Sequence, residues 1–203
     1  MKKLKVLNLY AGIGGNRKLW ENCEVTAVEI DLKTALIYKK YFPNDTIIVG
    51  DAHEYLLEHH QEFDFIWSSP PCPTHSDIRR CGVHKGQYQP KYPDMKLYEE
   101  IIFLKHFSKC KWVIENVKSY YKPLILPFEL HRHYFWSNFV IPKKRIPDDR
   151  VHNDIVGSKE VYGFNIAKYS VDNKKKILRN LVNPKLGLYV FQCAFKEKQV
   201  TLK

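Results

Sequence analysis

Apolar residues in the first half of the chain fall in short runs, each closed by glycine, proline or an acidic residue, with helix-compatible stretches between them. Leu4–Tyr10 (LKVLNLY) is such a run, ends at Ala11-Gly12 and predicts a buried strand. Asn16–Asn22 suits a helix, and Glu24–Asp31 (EVTAVEID) predicts a second strand. Leu32–Tyr41 predicts a helix closed by Phe42-Pro43, and Thr46–Val49 a third strand ending in Gly50-Asp51. After a helical stretch around Glu54–Gln61, Phe63–Ser68 (FDFIWS) predicts a fourth strand that runs into Ser69-Pro70-Pro71-Cys72. Tyr98–Lys109 has the spacing of an amphipathic helix, and Lys111–Ile114 (KWVI) predicts a fifth strand ending at Glu115-Asn116. From His131 onward the pattern weakens, and Lys143–Lys176 is polar and basic.

Alternation of this kind predicts an α/β fold built on a mostly parallel, doubly wound sheet with helices on both faces. In such sheets the carboxyl ends of the strands share one edge, and ligands bind there. Gly12–Gly15, Glu29, Asp51, Cys72 and Glu115 each follow a predicted strand, so they are expected to converge although they are far apart in sequence.

With 203 residues the chain can bury one sizeable core with a small appended lobe, and is too short for two full domains. No secretory leader or membrane-length apolar run is visible, which predicts a cytoplasmic protein without membrane contact. The five cysteines (Cys23, Cys72, Cys81, Cys110, Cys193) are scattered and form no CxxC pair, so free thiols are expected rather than disulfides or zinc. A formal net charge of +11 raises the local concentration of polyanions, of which nucleic acid is the commonest.

Tyr10-Ala11-Gly12-Ile13-Gly14-Gly15 lies between a strand and a helix, where glycines let a backbone approach a nucleotide. Glu29, at the end of the second strand, is placed to take both ribose hydroxyls, and Asp51 to accept from an adenine amino group. Arg17 stands where the third glycine of a GxGxxG fingerprint belongs, and no basic cradle for a diphosphate is evident. A nucleoside cofactor without phosphates fits better than NAD, and S-adenosylmethionine is the common one. The reactive half is Ser68-Ser69-Pro70-Pro71-Cys72-Pro73. Its prolines stiffen the exit of a strand and hold one sulfur at a site edge. Cys23, Cys110 and Cys193 sit in apolar runs and read as packing residues. Glu115, leaving the neighbouring strand, completes a nucleophile and acid pair.

These motifs resemble the DNA cytosine-5 methyltransferase family. Leu9–Gly15 is similar to its FxGxGG cofactor loop, Pro71-Cys72 to its catalytic PC motif, and Glu115-Asn116-Val117 to its ENV motif. Tyr98–Phe107 looks like the helix before ENV, and Asn180–Gly187 like the carboxy-terminal motif that completes the cofactor pocket. The resemblance implies a Rossmann-like class I S-adenosylmethionine-dependent methyltransferase fold. It implies cofactor contacts from Tyr10, Ala11, Gly12, Gly14, Gly15, Glu29, Ile30, Asp51, Ala52, Pro71 and Asn180, and catalysis by Cys72, Glu115 and Arg132. Also implied are a duplex DNA substrate with a flipped cytosine and a mobile catalytic loop over His75–Asp94.

The sequence departs from the family at three points. Pro73 replaces the usual Gln after the catalytic cysteine, the basic QxRxR motif is reduced to His131-Arg132-His133, and little chain separates His133 from Asn180. Residues 1–135 are therefore expected to form the catalytic domain, 136–176 a short basic recognition segment, and 177–203 a segment returning to the first. So small a recognition segment predicts a very short target site or a partner subunit that supplies specificity. Competing readings are an RNA cytosine-5 methyltransferase, an amino methyltransferase of the [DNS]PP[YFW] type, which Ser69-Pro70-Pro71-Cys72 approaches, and a non-catalytic binding subunit.

Overall fold

The computed structural model describes residues 3–146 and 162–196. Among them, seven strands form one sheet: β1 (Leu4–Leu9), β2 (Cys23–Glu29), β3 (Thr46–Val49), β4 (Phe65–Ser68), β5 (Lys111–Val117), β6 (Phe128–Leu130) and β7 (His133–Ser137). Their order is β3-β2-β1-β4-β5-β7-β6. The first five run parallel, and β7 is antiparallel to both of its neighbours. The order reverses between β1 and β4, so their carboxyl ends flank the crevice of a doubly wound sheet. This is the Rossmann-like class I methyltransferase fold.

Period-two alternation splits the strands into two apolar faces. Val6, Val25, Phe65, Trp67, Val113 and Phe135 lie on one face beneath α6 (Pro184–Ala194), whose Leu186, Val190 and Phe191 cover them together with Trp20. Leu7, Leu9, Val28, Ile66 and Ile114 lie on the other, against Leu56 of α2 (Ala52–His59) and Leu97, Ile101 and Leu104 of α4 (Lys96–Phe107). Burial on both faces is why the strands read as continuous apolar runs. Each large aliphatic side chain so enclosed stabilises the fold by about 1.5–3 kcal/mol. The helix α1 (Leu32–Tyr41) is N-capped by Asp31, whose side chain accepts from the Thr34 N–H. Its Ile37 packs with Phe164, Ile166 and Leu178, so the described end of the basic segment, including α5 (Lys174–Arg179), rests on the first half of the chain.

Four sequence expectations change. The helix foreseen over Asn16–Asn22 is a single 3-10 turn, Asn16–Leu19, because Trp20 turns extended to reach the core. The Trp20 indole N–H donates to the Gly187 carbonyl of α6 at 3.2 Å. The stretch after Cys72, expected as loop, contains α3 (Asp77–His84), capped by Ser76 through the Arg79 N–H. Its polar composition hid it. The fifth strand continues through Glu115, Asn116 and Val117, because β7 pairs with those residues where the apolar run has ended. The β6–β7 hairpin straddles His131, the point from which the sequence pattern weakened. Arg150, and with it residues 147–161 of the expected recognition segment, lie outside the described residues. Among the described residues no helix is long and apolar enough to cross a membrane.

Candidate active site

The structure brings Gly12, Glu29, Asp51, Cys72 and Glu115 to the carboxyl edge of the parallel strands, since each lies at the end of, or just after, a strand. After β1 the chain turns sharply: Tyr10 has φ 54° and Gly12 φ 55°, both left-handed. The Ala11 N–H then donates to the Val28 carbonyl at 3.0 Å, fastening the loop to β2. Glu29 is held from two sides, its Oε2 accepting from the Gly12 N–H at 2.9 Å and its Oε1 from the Asp31 N–H at 3.0 Å. A carboxylate oxygen that accepts one N–H retains capacity for a hydroxyl, so the ribose role stays open to it. A Cβ on Gly12 would meet nothing within 4 Å, leaving free space above this backbone. Ile30, next to Glu29, is 70% exposed and offers a bare apolar surface at the same edge.

Asp51 caps α2, its Oδ1 accepting from His53 N–H at 2.7 Å and Glu54 N–H at 3.2 Å, while Oδ2 lies 3.8 Å from the Lys96 ammonium. Burial pushes this carboxyl up, but the two N–H donors and Lys96 outweigh it and hold it below the usual range. Ala52 behind it is buried. The cations near the glycine loop are committed elsewhere. Arg17 forks onto Asp45 at 2.9 and 3.0 Å, and the Lys18 ammonium donates to the Tyr162 carbonyl at 2.6 Å. Among the described residues, neither of these two cations is spent on the glycine loop. Gly14 is buried, and Gly15 lies so close to the later chain that a Cβ would come within 2.6 Å of the Val182 carbonyl oxygen. Asn180 is exposed at the end of α5, just before Leu181 and Val182 press on that loop. The residues thus fit a nucleoside cofactor such as S-adenosylmethionine: a carboxylate for its ribose, a bare apolar residue beside it, and no phosphate partner.

The reactive half is built on β4 and β5. Asn116 donates from Nδ2 to the Pro70 carbonyl at 3.0 Å, fully buried, and so staples the end of β5 to the turn that carries Pro71 and Cys72. Pro71 itself is exposed. The Cys72 carbonyl accepts from the N–H groups of His75 and Ser76, which fixes the turn after it. Burial first, then the charge of Glu115, push the Cys72 thiol up to about 11; Lys176 and Arg132 pull the other way without prevailing. Glu115 is 6% exposed, and its Oε1 lies 2.7 Å from Nδ1 of His133.

Sequence reasoning singled out Arg132 from the reduced basic motif. The side chain that meets Glu115 is its neighbour His133, while Arg132 is exposed on the turn leading into β7, its charge still reaching Cys72. The signal was period two: Glu115, Val117, His133 and Phe135 share one face of the antiparallel pair. Sequence reasoning also missed Glu100 of α4. It is fully buried beneath the edge and bonded to Tyr10 and Ser68. On a helix read only as amphipathic, a second glutamate gave no hint of burial.

A family model for C-5 cytosine-specific DNA methylases matches residues 4–123, the stretch that carries β1 to β5 and both halves of the site. The human tRNA (cytosine(38)-C(5))-methyltransferase is 34% identical over a 226-residue alignment that covers 97% of this chain and 58% of the human protein. The chain therefore spans less than two thirds of that relative. Among solved structures, a Spodoptera frugiperda DNMT2 mutant is similar at 24% identity and TM-score 0.41, covering 57% of this chain and 36% of that one. The Entamoeba histolytica methyltransferase EhMeth is similar at 18% identity and TM-score 0.37, covering 58% and 39%. Both superpositions are loose, and the strand order carries the fold by itself. With the glycine loop, the proline-flanked cysteine and the glutamate of β5 all inside the matched stretch, the chain belongs to the C-5 cytosine-specific DNA methylase family, whose cofactor is S-adenosylmethionine.

Proposed function

We propose that this protein transfers a methyl group from S-adenosylmethionine to carbon 5 of cytosine in DNA, with Cys72 as the nucleophile. One observation carries the reading: the bond from Asn116 to the Pro70 carbonyl holds the turn that carries Cys72 against the end of β5, near enough for the charge of Glu115 to act on the Cys72 thiol. Carbon 5 of cytosine is a poor nucleophile. Addition of the Cys72 thiolate to carbon 6 moves an electron pair toward ring nitrogen 3 and makes the ring an enamine. Glu115, carrying a proton in that step, donates it toward nitrogen 3 and stabilises that charge. When bound, S-adenosylmethionine supplies an electrophilic methyl group at its sulfonium. Transfer of the carbon 5 proton to a solvent base then restores the double bond between carbons 5 and 6 and expels the Cys72 sulfur as thiolate. The base must leave its stack for carbon 6 to be reached. Arg132 and Lys176 supply positive charge that reaches Cys72, and the exposed Lys143, Lys144 and Arg145 add further basic surface. Specificity then comes from a very short site or from a partner subunit.

RNA is the second reading. The similarity of nearly the whole chain to a protein named as a tRNA cytosine methyltransferase favours it, and the Cys72 and Glu115 chemistry is the same on either polymer. Incubation of the purified protein with labelled S-adenosylmethionine and DNA or RNA, followed by nucleoside analysis, separates the two. We expect 5-methylcytosine from DNA, and DNA containing 5-fluorocytosine should trap the protein covalently. Label in 5-methylcytosine from RNA alone would transfer the proposal to the second substrate. Label in N4-methylcytosine or N6-methyladenine would refute the Cys72 mechanism.

A further inference from the structure

Glu100 has no part in the chemistry above, yet it is the most deeply buried carboxylate among the described residues, with no exposed surface. Three groups from three different elements converge on it. The Tyr10 hydroxyl donates to its Oε1 at 2.6 Å, the Ser68 hydroxyl to its Oε2 at 2.6 Å, and Nδ1 of His53 lies 3.2 Å from Oε1. Tyr10 opens the glycine loop after β1, His53 is the second residue of α2, and Ser68 ends β4 just before the turn to Cys72. One carboxylate therefore ties the cofactor loop, the helix start capped by Asp51 and the strand that delivers the nucleophile.

Tyr10 is the informative partner. A non-glycine residue at φ 54° is strained and persists where its surroundings over-determine it. The bond to Glu100 is such a determinant, for it fixes the phenol end while the Ala11 N–H fixes the next residue to β2. The phenol is the tyrosine's distinction from the phenylalanine written in the FxGxGG pattern that this loop resembles. Burial of a carboxylate is costly unless it is hydrogen-bonded and charge-balanced. His53 is the cation-capable group in contact with Glu100, and that bond is the leading cause that holds the imidazole above its usual range. Around His53 also stand Glu99, 3.9 Å away, Lys96 and Asp51.

We infer that Glu100 is a positioning residue for the S-adenosylmethionine site, holding Tyr10 and the start of α2 in the conformation that receives the cofactor. The inference rests on the cofactor assignment and is independent of Cys72 and of the polymer methylated. A merely structural Glu100 would set the melting temperature and leave the affinity of the folded protein alone.

The test is a double-mutant cycle on cofactor affinity, with calorimetric titration of S-adenosylhomocysteine into wild type, Tyr10→Phe, Glu100→Gln and the double variant. We expect each single change to weaken binding about tenfold, and the double variant to lose little more than the larger single loss, because both act through the orientation of the same side chain at position 100. The pH dependence gives a second readout. In wild type the affinity should fall as His53 loses its proton. In Glu100→Gln that fall should begin at lower pH, since the group holding the imidazole charged is gone. If Glu100→Gln does not fold, Ser68→Ala replaces it in the cycle, as it removes another bond to the same carboxylate. Unchanged affinity in folded variants, or strictly additive losses, would overturn the inference while leaving the cofactor assignment intact. Absence of binding by wild type would overturn both.

Discussion

The two halves of the candidate site differ in how finished they are. In the cofactor half each carboxylate is already held: Glu29 by two backbone N–H groups, Asp51 by the start of α2. A ligand arriving there finds its partners oriented. In the reactive half the groups are close but set against each other, for Glu115 and burial keep the Cys72 thiol protonated up to about 11. Nucleophilicity requires the thiolate. The difference teaches that the fold prepares binding in advance, while the reactive half still holds its thiol in the protonated form.

That contrast is broken most directly at Cys72. Cys72→Ala should abolish methyl transfer, below about one part in a thousand of wild type, while calorimetry of S-adenosylhomocysteine finds the affinity nearly intact. Retention of full activity would remove Cys72 from the mechanism. Next in size is Glu115→Gln, which should lower turnover by about 10²–10³ and affect nucleic-acid affinity far less, if the role proposed for it at the transition state holds. The same variant sharpens the comparison through its pH dependence. A raised thiol pKa means that little thiolate exists at neutral pH and that alkylation of Cys72 climbs as pH rises toward 11. Removal of the Glu115 charge lowers that pKa, so peptide mapping after iodoacetamide treatment should find the climb at lower pH. An identical profile would mean that burial alone sets the thiol.

On the cofactor side the effects should be smaller, since a finished site loses one contact at a time. Glu29→Ala is expected to weaken S-adenosylhomocysteine binding by about 1–3 kcal/mol, the cost of unmatched polar partners. Unchanged affinity in the folded variant would take the ribose role from Glu29. The smallest effect concerns the basic surface beside the reactive half, where the charge of Lys176 reaches Cys72. Charge reversal at Lys174, Lys175 and Lys176 should reduce binding to all DNA sequences alike and flatten its salt dependence. Bisulfite sequencing of DNA methylated by the purified protein supplies the companion check. A single recognised site of six or more base pairs, read without a partner, would contradict a short or borrowed specificity.

The same division governs what could be read from the sequence. Strand ends announce themselves through apolar runs that stop at glycine, proline or an acid, so Glu29, Asp51, Cys72 and Glu115 were legible as members of one edge. Groups brought to the site by tertiary pairing were not. His133 reaches Glu115 only because β7 runs antiparallel to β5, and nothing local in His131-Arg132-His133 states which side chain turns inward. Glu100 looks like any helix-surface glutamate until α4 is laid against Tyr10 and Ser68. α3 was missed for a different reason: its apolar contacts are few, and what holds it is a serine cap together with Tyr88, whose ring lies against Gly82.

The contact between the 3-10 turn and α6 carries a consequence for how the protein comes into being. The Trp20 indole donates to Gly187, 167 residues later, and a Cβ on Gly187 would fall 2.4 Å from the Asn16 carbonyl oxygen. One face of the central strands takes a large part of its cover from α6. At synthesis rates of about 5–20 residues per second, Val6, Trp20 and Phe65 must wait on the order of ten seconds on the ribosome with their apolar surface unsheltered. The first strands made are among the last to be sealed.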